Sequence, residues 1–338
     1  MKAAILEKIN APLTIKEVEL TPLKFGQVLV KILVSGLCGA QLHEIRGHKG
    51  NAKFLPHLMG HEGCGIVERV GLGVTTVAPG DKVVMHWRPG SGVEAPFPSY
   101  VLDGKTISSG KVTTLSESSI VSENRVTKID SDTPSVLAAM LGCSLTTALG
   151  IIDNECDLKF GESVAVVGCG GVGLNLLQAA SMKSATPIFG VDINQSMRDL
   201  SVKMGAEGFT NDLSSIPMQV DVIIDTTGNA EVIAQAYNKL APSGRLILVG
   251  QPAPGKSVEL PNAVSMFDGA GKSIRATQGG RTDPETDIPR YIGLAKKEVL
   301  DWKTLHTDTF SLDEVNDAFD LLKSGNAGRI MIKIGEVE

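Results

Sequence analysis

Three stretches of the chain carry residue types that could do chemistry together. GLCGAQLHEIRG, residues 36–47, sets Cys38 among small residues with His43 five places on. GHEG, residues 60–63, supplies His61 and Glu62, and LGCSLTTALG, residues 141–150, supplies Cys143. Two thiolates and an imidazole that leave one position open make a set suited to a catalytic zinc. Ligands scattered from residue 38 to residue 143 form no local pattern, however. Spacing alone therefore leaves two readings open. Cys38, His61, Glu62 and Cys143 are candidate metal ligands, or they are buried thiols beside a surface histidine, since free cysteine is commonly a core residue.

A second kind of chemistry is written locally. VVGCGGVG places Gly168, Gly170 and Gly173 in G-x-G-x-x-G spacing, after the apolar run SVAVVG and at the start of a helical pattern. The first glycine permits a tight turn, the second lets backbone approach a pyrophosphate, and the third lets helix and strand pack closely. The phosphates would rest on the helix N-terminus. A following strand ends in Asp192, where a carboxylate can accept from a ribose 2′-hydroxyl and repel a 2′-phosphate. NAD is the expected dinucleotide. Candidate cofactor contacts are Gly168, Gly170, Gly171, Val172, Gly173, Asp192 and Ile193, with Thr226 and Val249 from later strands.

These residues need elements to position them. The first 140 or so residues read as strands and turns, including QVLVKILVSG, GCGIVERVG and KVVMHW. From about residue 145 strands alternate with helices: SVAVVG, VGLNLLQAASMKS, PIFGVD, SMRDLSVKMGA, VDVIIDTTG, EVIAQAYNKLA, GRLILVG. Repeated units of this kind imply a parallel sheet covered on both faces. SLDEVNDAFDLLKSG then reads as a capped helix from Ser311 and Glu314 to a stop at Gly325, and RIMIKI as a closing strand. The expectation is an α/β chain: a doubly wound parallel-sheet domain over 145–277, inserted between parts of a β-rich domain at 1–144 and 278–338.

Bulk properties bound the function. The 338 residues are 42% hydrophobic and 21% charged, enough for large cores. A net charge of −6 argues against general nucleic-acid binding or binding to anionic membranes. The N-terminal stretch lacks a signal peptide's apolar segment, and no apolar run reaches a membrane-spanning length. Five scattered cysteines do not resemble a disulfide framework, so a cytoplasmic, reducing setting is expected.

GLCGAQLH, LMGHEGCGIVERVG, VAPGDKVV, LGCSLTTALG, VVGCGGVG and VDIN occur in the order seen in zinc-dependent medium-chain alcohol dehydrogenases, which the chain resembles from about residue 2 to 334. Alcohol dehydrogenase is itself the standard example of the Cys₂His zinc set. The resemblance implies a GroES-like catalytic domain and a Rossmann domain, with the active site in the cleft between them. It implies Cys38, His61 and Cys143 as ligands of one catalytic zinc, and Glu62 as an acid that can exchange with water on the metal. It implies Thr147 against the nicotinamide and Arg329 at the cofactor phosphates. It also implies a homodimer or homotetramer.

The chain departs from that family in places. No cysteine lies between Cys64 and Cys143, so a four-thiolate structural zinc is not expected. Ala40 stands where a Ser or Thr usually passes the proton, and Gln41 where an Asp commonly supports the ligand histidine. His43 keeps the outer end of that relay. Trp87 and Arg88 fall where relatives wall the substrate pocket: Trp87 would narrow it, and Arg88 could pair with an anion or be a solvated loop residue. Zinc as Lewis acid and NAD as hydride acceptor make the expected reaction oxidation of a secondary alcohol, polyol or sugar-like hydroxyl, or reduction of its ketone. His86, Arg88 and the 4% aromatic content lean toward a polar substrate. One alternative is an epimerase or lyase that oxidises transiently and retains its NAD. Another is a dinucleotide-binding protein without catalysis.

Overall fold

A computed structural model describes residues 1–336, apart from the side chain of Asn51. The chain forms two compact units. The first holds Met1–Thr146, Asp283–Lys297 and the chain from His306 onward; the second holds Thr147–Thr282 and Glu298–Leu305.

The first unit is built on two largely antiparallel sheets. One runs Thr14–Glu17, Lys2–Leu6, His57–Leu58, Lys105–Ser108, Ser99–Leu102, Glu19–Leu20. The other runs Val126–Lys128, Lys82–Met85, Gly63–Val70, Gln27–Gly36, Arg329–Lys333, His306–Ser311, with Ser118–Ser122 also paired to Gln27–Gly36. Gln27–Gly36 is buried on both faces at every position but Lys31, so QVLVKILVSG shows almost no alternation. A strand with neighbours on both sides and cores above and below has no face to give to water. Its end at Gly36 delivers the chain to Cys38, and Gly63–Val70, paired beside it, begins just after His61 and Glu62.

The second unit has one wholly parallel sheet, ordered Gly208–Thr210, Ile188–Val191, Val164–Val167, Val220–Asp225, Leu240–Leu248, Ser273–Ala276. VAVV and VIID are buried throughout, as strands covered by helices on both faces must be. Strand order reverses on either side of Val164–Val167, and ligands of such sheets bind in the crevice this reversal opens.

The closing helix starts in the expected capping box, with Ser311 N–H and hydroxyl both donating to Glu314, and stops at Gly325 in the left-handed region (φ 69°). Two stretches fall on the other side of the boundary expected at 278: residues 278–282, where the second unit runs on to Thr282, and residues 298–305. Residues 298–305 return to the second unit because Leu300 and Leu305 are buried there and the Gln178 amide pairs with both backbone groups of Asp301.

Candidate functional site

Cys38 is the N-cap of the helix Gly39–Ile45, with extended backbone (φ −136°, ψ 145°) and its side chain in a capping box with Gln41. Gln41 locks this start: its side-chain carbonyl accepts from the Cys38 N–H at 2.8 Å, and its own Nε2 is buried without a partner. Gln41 stands where relatives commonly have an Asp, and here its oxygen holds the Cys38 backbone. His61 precedes the strand Gly63–Val70, and Cys143 precedes the helix Ser144–Gly150. The Sγ atoms of Cys38 and Cys143 and a ring nitrogen of His61 lie within 4.8 Å of one another. Among the described residues no other group of three His, Cys, Asp or Glu side chains converges so closely.

The donor set fits a divalent metal. A hydrogen bond from the Cys143 thiol, reinforced by His61, holds the Cys38 thiol well below its ordinary value, and Cys143 is raised in turn. Burial by itself would lower His61, but its hydrogen bond to Cys38 and the charge there raise it instead. Two buried thiols and a half-buried imidazole thus face one another, an arrangement whose natural occupant is a cation. Two thiolates and a neutral imidazole would balance a 2+ charge and leave a coordination position open.

Glu62, the fourth candidate ligand, is not in this trio. Its Oε1 accepts from Arg329 Nη2, and its Oε2 accepts from the Ser144 N–H at 3.2 Å. Glu62 and Arg329 are both buried. Burial raises the Glu62 carboxyl although Arg329 opposes it. The Glu62 backbone carbonyl is held by the Ser35 hydroxyl at 3.2 Å and by the Thr114 hydroxyl at 3.0 Å. The resemblance implies Arg329 at the cofactor phosphates; one side of its guanidinium faces Glu62, while Nε is buried without a partner. Its arrival here depends on the pairing of Arg329–Lys333 with Gln27–Gly36.

His43 is half-buried on the helix that Cys38 caps, and burial lowers its pKa. Its ring centroid lies 5.6 Å from that of His48. Thr147 is buried on the helix Ser144–Gly150. A cavity of about 530 Å³ in the first unit is lined by His61 and Trp87, with Phe54, Leu58, Phe97 and Val112 among its walls. Arg88 is not among its lining residues; its guanidinium lies 5.7 Å from the Trp87 ring centroid. His86 is buried, with Nδ1 donating to the Arg88 carbonyl at 2.7 Å and Nε2 accepting from the Thr127 hydroxyl at 2.9 Å. Burial takes its pKa down to about 4. His86 therefore supports the loop behind the cavity and offers nothing to a polar substrate.

That loop is tied by carboxylates. Glu123 accepts from the N–H groups of Thr75, Thr76 and Val93 at 2.5, 2.7 and 2.8 Å. Glu94 accepts from Lys111 at 2.5 Å, Asn124 at 2.8 Å and Arg125 at 3.0 Å. Arg125 also donates to the Trp87 carbonyl. No local pattern announces these partners, which come from distant parts of the chain.

In the second unit the three glycines have three distinct reasons. Gly168 sits at φ 88°. A Cβ on Gly173 would fall 1.8 Å from the Gly168 carbonyl oxygen. A Cβ on Gly170 would meet no protein atom within 4 Å, so the space before it is open. The helix Gly171–Met182 starts there, directing the N–H groups of Gly171, Val172 and Gly173 at that space, as a phosphate requires. Asp192 accepts from the Cys169 N–H at 2.7 Å and the Asn194 N–H at 2.8 Å, which braces the turn. A cavity of about 290 Å³ adjoins it, lined by Gly168, Asp192, Ile193, Asn211 and Thr227 among others. Ile193 is 91% exposed, an apolar wall suited to a flat base. Thr226 braces strand ends by donating to the carbonyls of Val167 and Gly168, each at 3.0 Å, and the Val249 N–H donates to Asp225 at 2.8 Å. Asn211 and Thr227 were missed in the sequence because they lie outside any motif.

Residues 24–131 match the alcohol dehydrogenase GroES-like domain, and residues 171–297 match the zinc-binding dehydrogenase domain. Alcohol dehydrogenase 1 of Cenchrus americanus is 31% identical, over 98% of this chain and 97% of that protein. Alcohol dehydrogenase 6 of Peromyscus maniculatus is 30% identical, with the same coverage. The chain belongs to the zinc-dependent medium-chain dehydrogenase family. The dehydrogenase shares its fold with an alcohol dehydrogenase zinc-binding domain protein of Burkholderia ambifaria, at a TM-score of 0.90, 24% identity and 99% coverage of both chains. It likewise shares it with benzyl alcohol dehydrogenase of Acinetobacter calcoaceticus, at 0.88, 24% and 99% of both. It is an oxidoreductase that uses NAD and a catalytic zinc to move a hydride between an alcohol and its carbonyl. The alternative of an NAD-retaining epimerase or lyase has no support over this reaction. Among the described residues no helix is long and apolar enough to cross a membrane.

Proposed function

We propose that this dehydrogenase binds a small-molecule alcohol in the cavity beside His61, with Cys38, His61 and Cys143 holding zinc at its inner end. The convergence of those three ligand atoms within 4.8 Å carries the reading. Bound there, zinc supplies the Lewis acidity that lowers the alcohol's pKa and polarises the carbonyl in reverse. The chain's own residues do the rest. Gln41 holds the Cys38 backbone in place. Arg329 neutralises Glu62 beside two thiolates. Trp87 walls the substrate side, and Thr147 packs against the nicotinamide. Gly168, Gly170 and Gly173 with the helix N-terminus take the pyrophosphate, and Asp192 takes the ribose hydroxyls. Ala40 offers no hydroxyl, so a water or a second substrate hydroxyl completes the proton's route to His43.

The reading extends to assembly and setting. The strand Ser273–Ala276 is the edge of the parallel sheet and exposed at each position. Val264 (77% exposed) and Phe267 (82%) lie shortly before it in the chain. An unpaired edge with apolar neighbours supports pairing with a second copy, giving a homodimer or a tetramer. Five free cysteines support a cytoplasmic setting.

The test is NADH absorbance with zinc-loaded protein over a panel of alcohols, beside metal analysis. The expected result is NAD reduction that disappears in His61→Ala. NAD reduction that survives loss of zinc would overturn the reading. A His43→Ala variant should slow turnover and be partly rescued by small buffer bases.

A further inference from the structure

Resting on that reading of the cavity, we propose that this dehydrogenase selects alcohols with a flat aromatic body, Trp87, Phe97 and Phe54 being its specificity residues. The chain has two tryptophans and nine phenylalanines, and three of these line a single cavity of about 530 Å³ together with His61. Phe97 is 59% exposed and Phe54 53%. Large apolar side chains left open on the wall of a concave site gain most when a ring covers them. Leu58 and Val112 continue the same surface.

The polar groups of this cavity are largely engaged with the protein. Lys49 pairs with Glu44 at 3.6 Å, and Lys111 pairs with Glu94 at 2.5 Å. The Ser109 hydroxyl donates to the Gly110 carbonyl at 2.9 Å, and His57 Nδ1 to the Leu58 carbonyl at 2.9 Å. A polyol entering would lose water from each hydroxyl and find few partners to replace it. An aryl alcohol loses little water and gains ring contacts.

The walls are also held from behind. Arg125 grips the Trp87 carbonyl, Glu94 joins Arg125 to Lys111, and the Lys111 ammonium lies 5.5 Å from the Phe97 ring centroid. One ion cluster thus holds the Trp87 backbone and the Phe97 ring before substrate arrives. In the reaction the carbinol C–H gives its hydride to NAD, the hydroxyl proton leaves to solvent, and the products are an aryl aldehyde or ketone and NADH.

The experiment compares kcat/KM of zinc-loaded protein for benzyl and cinnamyl alcohol with that for butane-2,3-diol and sorbitol. The aryl alcohols should lead by about 100-fold. Phe97→Ala and Trp87→Ala should each cut that lead by about tenfold, mainly through KM for the aryl substrates. If an alanine variant fails to fold, Phe97→Leu and Trp87→Phe replace it, and the wild-type ratio remains a test by itself. Polyols oxidised as well as aryl alcohols, or an aryl lead untouched by both wall variants, would overturn this inference while leaving the dehydrogenase reading intact. No NADH from any alcohol would overturn both.

Discussion

The metal centre and the nucleotide turn are built in opposite ways. The turn from Gly168 to Gly173 is made by six consecutive residues, and the acid that braces it arrives one strand later. The metal centre draws Cys38, His61 and Cys143 from three separate connections, and Arg329 reaches Glu62 across 267 residues. The turn works through backbone: Gly168 in the left-handed region, Gly173 pressed against the Gly168 carbonyl, and N–H groups at a helix end. The metal centre works through side chains whose charges would be costly alone. Damage to the turn should therefore act by sterics and stay local. Damage to the metal centre should act by uncompensated charge and reach the stability of the first unit.

The largest expected effect comes from the ligands. Cys38→Ser or Cys143→Ser should bring turnover to background and cut zinc below the expected one ion per chain, while NADH still binds the second unit. Loss of NADH binding, followed by fluorescence, would break the contrast between the two regions. Next comes the buried pair. Arg329→Met takes the cation from the buried Glu62 and should cost about 3–5 kcal/mol of stability. Arg329→Met with Glu62→Gln should recover much of it in urea unfolding. A single variant as stable as wild type would show that Glu62 finds another partner.

A pH effect of intermediate size sharpens the same point. His86 is buried and neutral, its pKa down at about 4 against an ordinary 6.5. The unfolded chain takes up the proton first, so this contribution to stability is complete above pH 6.5 and lost as pH falls toward 4. The loss should be on the order of 3 kcal/mol at pH 4. Stability should fall less steeply over that window in His86→Gln than in wild type, and equal slopes would remove His86 from the account. The smallest effect separates two glycines of one turn. Gly173→Ala forces a Cβ into the Gly168 carbonyl and should cost about 1–3 kcal/mol even without ligand. Gly170→Ala meets no protein atom, so stability should hold while NAD affinity falls. Equal melting losses for both would sink the assignment of Gly170 to the phosphate.

Much of the second unit was legible because its signals are short-range. PIFGVD, VDVIIDTTG and GRLILVG are apolar runs in register with a parallel sheet, and a glycine motif reports a backbone constraint wherever it occurs. In the first unit the strand QVLVKILVSG was equally plain, but its neighbours were not, because antiparallel pairing between distant segments leaves no spacing to count. The stretch HWRPGSGVEAPFPSYVLDGKTISSGKVTT, residues 86–114, reads as a loop rich in Gly, Pro and Ser. The Glu94 and Glu123 clamps that shape it became visible once Arg125, Thr75 and Thr76 were brought alongside.

By itself the sequence determined the parallel-sheet unit, the phosphate turn with Asp192 behind it, the helix from Ser311 to Gly325 and, through ordered motifs, the family. Backbone geometry and local hydrogen bonding decide those features within a few residues. Only the tertiary structure decided that Glu62 meets Arg329 and Ser144, that Gln41 holds Cys38, and that His86 braces a loop. It also decided that Phe54, Trp87 and Phe97 face one cavity. Each depends on which side chains share a low-dielectric interior, where an unpaired charge or polar group costs several kcal/mol, about as much as a single residue can contribute. That cost is settled by neighbours in space, and no spacing along the chain records them.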